Sequence, residues 1–69
     1  MPLTYAMPGE RNTIKRISGK DETRRHLANL GLNVGEDVTI VSQMGGNVII
    51  NIKDSRIALD KSMANRIFV

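Results

Sequence analysis

The chain has 69 residues, ten Lys and Arg against seven Asp and Glu for a net charge of +3, 41% hydrophobic residues and no cysteine. A chain this short buries only about 60% of the surface its unfolded form exposes, which points to one domain over 1–69 with thin stability. Without cysteine it has no disulfide or thiolate zinc site to staple it, and cations spread from Arg11 to Arg66 with no block of five name no partner by themselves.

At the N-terminus "LTYAMPGE" predicts a one-turn helix near 4–7, with Thr4 as its cap and Pro8-Gly9 as its stop. "RNTIKRI" is rich in β-branched residues, yet Ile14 and Ile17 are three apart and cannot share one face of a regular strand, so a bulge or strong bend is expected there. "DETRRHLANLGL" predicts a helix over about 21–30. Asp21 is read as its N-cap, Glu22 as a first-turn anion and Gly31 as the positive-φ residue beyond its end. At 100° per residue, Thr23, Leu27 and Leu30 form the apolar stripe, while Glu22, Arg25, His26 and Asn29 face solvent.

"EDVTIVSQMGGNVIINIKD" reads as a hairpin. A two-residue Gly45-Gly46 loop would pair Ile40 with Asn51 and send the two apolar rows to opposite faces. A three-residue Gly45-Gly46-Asn47 loop pairs Met44 with Val48 and Ile40 with Ile52, and is the register expected. Asp54-Ser55 is read as a turn, "RIAL" as a short strand, Asp60 as the cap of a one-turn helix near 60–64, and "RIFV" as a last strand. About five short strands with one true helix predict a mainly β fold, closed into a small barrel because closure leaves the fewest strand edges exposed. The expected core is Ile14, Leu27, Leu30, Val38, Ile40, Val48, Ile50, Ile52, Leu59, Ala64 and Ile67.

Few chemistries suit these residues. A P-loop would need a glycine five residues before Gly19-Lys20 and a hydroxyl after it, where this chain has Ile14 and Asp21. A catalytic triad would have to recruit His26 from the wet face of a helix without an oxyanion turn of the G-x-S-x-G kind. One histidine and no cysteine cannot enclose a transition metal, so the expectation is no enzyme, no cofactor and no catalytic or metal site. The ordinary role for His26 is a surface residue paired with Glu22 one turn back. A copy-to-copy metal site through His26 would require a homo-oligomer.

Binding of RNA or single-stranded DNA by a small barrel is the rival reading. Such barrels stack bases on aromatic platforms, and here Tyr5 and Phe68 are the only aromatic residues. Lys15, Arg16, Arg24 and Arg25 could contact phosphates only without sequence readout. Protein binding has a positive feature, because in the expected register Val41 and Ile49 are diagonal neighbours on the outward face among Thr39, Gln43, Asn51 and Lys53. That face is either a docking surface or is covered by the N-terminal turn. The candidate partner-binding residues are Arg24, Arg25, Val41, Ile49 and Lys53.

Several spaced elements resemble the FeoA family, ferrous iron transport protein A: Pro8-Gly9-Glu10, Leu30-Gly31-Leu32 with Gly35, Ser55-Arg56-Ile57-Ala58-Leu59, and Ala64 before Ile67-Phe68-Val69. The resemblance runs over nearly the whole chain. It implies an SH3-like β-barrel and a small cytoplasmic accessory of the FeoB membrane GTPase, which imports ferrous iron. Such a protein would act by touching the transporter's cytoplasmic part at the inner membrane, modulating its activity or assembly. Association with transition metal ions is implied only at the level of the family. The same module resembles the C-terminal domain of iron-dependent repressors, which makes a stand-alone regulatory module a further reading. No apolar run approaches the roughly 18 residues of a membrane span, and no signal-peptide pattern opens the chain, so it reads as cytoplasmic without direct membrane insertion.

Overall fold

The computed structural model describes residues 1–69. Six strands, two helices and one N-terminal 3-10 turn follow in order: the turn Leu3–Tyr5, β1 Arg11–Thr13, β2 Arg16–Ile17, α1 Asp21–Asn29, β3 Asp37–Met44, β4 Asn47–Ile52, β5 Ser55–Leu59, α2 Lys61–Ala64 and β6 Ile67–Phe68. A four-stranded antiparallel sheet is ordered β1-β3-β4-β5, and a second sheet pairs β2 with β6.

The extra strand comes from the bend expected in "RNTIKRI". Thr13 pairs with Asp37, and Ile14 still donates to the Glu36 carbonyl at 2.9 Å, but Lys15 donates to the Phe68 carbonyl at 2.7 Å. Between Ile14 and Lys15 the chain leaves one sheet for the other. That corner lets two isoleucines three apart both serve the interior: Ile14 is buried, and Ile17 packs against the core.

The β3–β4 hairpin corrects the expected register. Its loop is the two-residue Gly45-Gly46, with Met44 opposite Asn47 and both glycines at positive φ (60° and 89°), as a tight hairpin turn requires. The ladder then runs Gln43 to Val48 and Ser42 to Ile49, and shifts at a bulge so that Ile40 faces Ile50 and Val38 faces Ile52. The bulged residue is Val41. One extra residue on β3 restores the parity that the short loop would otherwise invert, so Val38, Ile40, Val48, Ile50 and Ile52 are all buried. The bulge also reverses two side chains at the hairpin end. Met44 points outward, 83% exposed, and Gln43 turns inward to donate to the Thr4 carbonyl at 3.2 Å and to the Ala6 carbonyl.

Helix α1 begins one residue earlier than expected, with Lys20 at the N-cap. Asp21 is its first helical residue, and the carboxylate takes the Arg24 guanidinium rather than a backbone N–H. Its far end is a Schellman motif: Gly31 (φ 92°) donates to the Ala28 carbonyl at 2.9 Å, and Leu32 donates to the Leu27 carbonyl at 3.0 Å. Leu27 and Leu32, the hydrophobic pair of that motif, are both fully buried. Leu30, expected in the core, is half-buried against it. Thr4 lies within the N-terminal turn, with Pro2 at the cap position, and its hydroxyl bonds Asn65 Oδ1 at 3.0 Å. The turn after β4 is Lys53-Asp54 rather than Asp54-Ser55, since Ile52 pairs with Ser55. Helix α2 is capped as expected, Asp60 Oδ1 accepting from the Met63 N–H at 2.8 Å.

The core has fourteen buried residues and no buried polar one. Ten of the eleven expected residues are in it; Leu3, Ala6, Leu32 and Val69 join them from outside the regular strands and helices or from their ends. Leu3 and Ala6 show what the N-terminal turn does: it sits over the interior of the barrel and leaves the outer face of β3 and β4 uncovered at Ile49.

Candidate functional site

The register decides what the four-stranded sheet shows to solvent. Inward rows are Asn12-Val38-Ile52-Ser55, Ile40-Ile50-Ile57 and Gln43-Val48-Leu59. Outward, between Thr13-Asp37 at one end and Met44-Asn47 at the other, alternation leaves two central rows. One is polar and basic, Arg11-Thr39-Asn51-Arg56, in which Arg56 Nε donates to Asn51 Oδ1 at 3.2 Å. The other is Ser42-Ile49-Ala58, three exposed residues directly across β3, β4 and β5. Ile49 stands between two small neighbours, 37% exposed, and with Met44, Asn47 and Asp60 it lines a shallow apolar depression of about 360 Å³.

At the other end of this face is a polar cleft lined by Arg11, Gly35, Glu36, Asp37, Thr39, Asn51 and Lys53. Asp37 accepts from Thr13 Oγ1 at 2.6 Å and from Arg11 Nη2 at 2.8 Å. The Thr13 hydroxyl first, and the Arg11 guanidinium after it, hold its carboxyl below the usual aspartate range. Lys53 Nζ lies 3.5 Å from Glu36 Oε1, and Lys53 is the one non-glycine residue at positive φ, 53°.

The five candidate residues therefore divide. Ile49, Val41 at the bulge and Lys53 at the β4–β5 turn belong to the four-stranded sheet. Val41 is half-buried rather than fully outward, because the bulge takes it out of alternation, and Gln43 leaves the outer face altogether. Arg24 and Arg25 are on α1 and line a separate groove with Ile17, Ala28, Leu32 and Val34. Met44 and Ala58, which the sequence pattern does not mark, join Ile49 on the surface. Met44 reaches that side through the bulge in β3, and Ala58 through the β4–β5 register, in which it lies opposite Ile49.

His26 is exposed on α1 and makes no ion pair with Glu22. The fold brings together no group of three or more His, Cys, Asp or Glu in ligand geometry. No helix is long and apolar enough to cross a membrane.

Comparison with known proteins gives a consistent set of likenesses. The model of the FeoA domain matches residues 1–69. A chain provisionally named Fe(2+) transport protein A, from Methanocaldococcus jannaschii, is 32% identical over 68 residues, which is 99% of this chain and 83% of that one. A crystal structure of the iron uptake regulatory protein FeoA superposes with a TM-score of 0.90 at 26% identity, covering 97% of this chain and 91% of that one. The zinc complex of FeoA from Stenotrophomonas maltophilia, described as a prokaryotic SH3-domain protein, superposes with a TM-score of 0.84 at 24% identity, over 99% of this chain and 87% of that one. The barrel is thus SH3-like.

Proposed function

The chain belongs to the FeoA domain family of ferrous iron transport proteins, and from that premise we propose that it is a non-enzymatic cytoplasmic accessory that acts by docking on the cytoplasmic part of a FeoB-type membrane GTPase. The observation that carries this reading is the outward face of the four-stranded sheet. An apolar row centred on Ile49 lies beside a polar row carrying Arg11 and Arg56, the composition of a modest protein interface with an apolar centre and a polar rim. An accessory of this kind needs no ligand set of its own, and its effect on the transporter is on activity or assembly.

The rival, an RNA-binding barrel, finds less support. Successive bases need several exposed aromatic faces; here Tyr5 alone is open, 73% exposed, while the ring of Phe68 is covered by the Arg16 guanidinium, whose carbon sits 4.1 Å from the ring centroid. The two readings separate on one substitution. Changing Ile49 to Asp on the exposed sheet face should leave the melting transition intact and weaken binding to the soluble GTPase domain by about tenfold or more, as for a central apolar contact. A folded Ile49→Asp protein that binds the GTPase domain unchanged would move the interface off this face. Binding to single-stranded RNA that collapses between low and moderate salt, indifferent to Ile49, would favour the rival.

A further inference from the structure

The charge of this molecule is not evenly placed. Lys15, Arg16, Lys20, Arg24, Arg25 and Arg66 fall on or beside β2, α1 and β6, with Asp21 and Glu22 the only carboxylates there. Six cations against two carboxylates give that part +4, while the remaining four cations against five carboxylates give −1. These elements form one continuous surface unit: β2 pairs with β6, the Ser18 N–H bonds the Arg66 carbonyl at 2.8 Å, and a Cβ on Gly19 would lie 3.5 Å from the Arg66 side chain and 3.6 Å from Thr23 of α1. Of the six cations only Arg24 is held in an ion pair, with Asp21. The whole excess charge of the protein therefore sits on one pole, largely unpartnered.

That pole also contains a groove. Ile17, Ala28, Leu32 and Val34 supply its apolar lining, and its polar lining is Asn33 with Arg24, Arg25 and Asp21, of which Asp21 is taken up by Arg24 and leaves Arg25 as the free charge. Val34 is 63% exposed, on the loop between the glycine corners at Gly31 (φ 92°) and Gly35 (φ 94°). A valine left this open beside an unpaired Arg25 is not explained by the core, which Leu32 already closes from the same loop.

We propose that the groove between α1 and the 32–34 loop is a docking site for an acidic, apolar-anchored segment of a partner protein, distinct from the sheet face around Ile49. Charge complementarity selects the acidic character, since a +4 pole steers and holds an anionic chain. A groove with the buried Leu32 and half-buried Ile17 in its lining and Val34 open at its rim selects a protein segment over the other polyanions. A bilayer surface calls for projecting rather than recessed apolar groups. A nucleic acid calls for stacking platforms, and the aromatic ring on this pole is already covered by Arg16. The two depressions share no lining residue, so this site does not depend on what the sheet face binds.

The test is an NMR titration of the full labelled chain with a synthetic amphipathic peptide of about twelve residues, Glu on one face and Leu on the other. A Lys-for-Glu peptide, phosphatidylglycerol vesicles and single-stranded oligouridine serve as the competing probes. Saturable shifts at Arg25, Ala28, Leu32 and Val34 are expected with the Glu peptide alone, weakened severalfold as salt rises from about 0.05 to about 0.3 M. Arg25→Glu and Val34→Ser both alter exposed side chains and should keep the fold; each should lower peptide affinity, Arg25→Glu by about tenfold or more. Ile49→Asp should bind the peptide as the unaltered chain does. The proposal is overturned by equal binding of the Lys peptide, by stronger binding of vesicles or oligouridine at these residues, by absence of binding at millimolar peptide, or by loss of peptide binding in Ile49→Asp.

Discussion

Asp37 carries the clearest electrostatic consequence of a single side chain. Its carboxylate accepts from the Thr13 hydroxyl and the Arg11 guanidinium, both of which favour the ionised form, so its folded-state pKa lies below its unfolded value. A depressed pKa contributes stability that is present above the unfolded value and is lost as pH falls through the folded one. Melting temperature should therefore fall as pH drops below about 4, and Asp37→Asn should flatten that part of the profile. An unchanged acid limb in Asp37→Asn would show that the bonds to Thr13 and Arg11 are not what shifts the carboxyl. Lys53 makes a second case. A left-handed conformation costs a residue with a Cβ about 1–2 kcal/mol, partly offset by the greater unfolded-state entropy of glycine. Lys53→Gly should thus raise stability in urea by about 0.5–1 kcal/mol, because the exposed pairing with Glu36 that it gives up is weak. Neither feature could be read from the sequence: Asp37 finds its partners across strands from β1, and nothing in "NIKDS" marks lysine rather than aspartate as the residue with positive φ.

Among the elements, the β3–β4 hairpin shows where sequence patterning succeeds and where it stops. Alternation located both strands, and the need to bury Val38, Ile40, Val48, Ile50 and Ile52 together was legible. Two devices meet that need, a longer loop or a bulge, and they differ by one residue that is itself apolar, Val41. Periodicity cannot separate them. The helix ends were easier on the C-terminal side, where Gly31 has a geometric duty, than at the start, where Lys20 and Asp21 could each have preceded the first turn. The outer face follows accordingly: Ile49 is outward as expected because β4 is regular, whereas Val41 and Gln43 are not, since Val41 is the bulge and Gln43 lies beyond it. The tight turn makes its own forecast. Gly45 at φ 60° has open space around its missing Cβ, so Gly45→Asn, a residue that tolerates this conformation, should stabilise the hairpin by about 0.5 kcal/mol in urea unfolding. A Cβ on Gly46 would come within 2.8 Å of the Lys61 side chain, so Gly46→Val should lower stability instead. Equal effects at the two positions would show that neither the turn geometry nor Lys61 sets the tolerance here.

For the whole molecule, a fully apolar core of fourteen residues is nearly all that opposes chain entropy, since the three ion pairs are exposed and contribute little. Ile50, fully buried opposite Ile40 and Ile57, should cost about 2–5 kcal/mol when cut to Ala, leaving little folded protein; a cooperative melt only slightly below that of the unaltered chain would remove it from the core. The outer surface is then free to serve binding, with an apolar row on the sheet and a basic pole on α1. The family was legible from spaced motifs, and the glycine corner among them has a geometric duty that shows in the sequence, Gly31 and Gly35 both standing at positive φ. The division of the candidate surface into two was not, since it depends on how the β2–β6 sheet turns away from the larger one. The most direct measurement is an NMR titration of the labelled chain with the soluble GTPase domain of a FeoB-type transporter, with single-stranded RNA as control. Docking through the sheet predicts saturable shifts at Ser42, Met44, Ile49 and Ala58 with the GTPase domain and none with RNA. No shifts with the GTPase domain, or shifts with RNA alone that fade as salt rises, would contradict it.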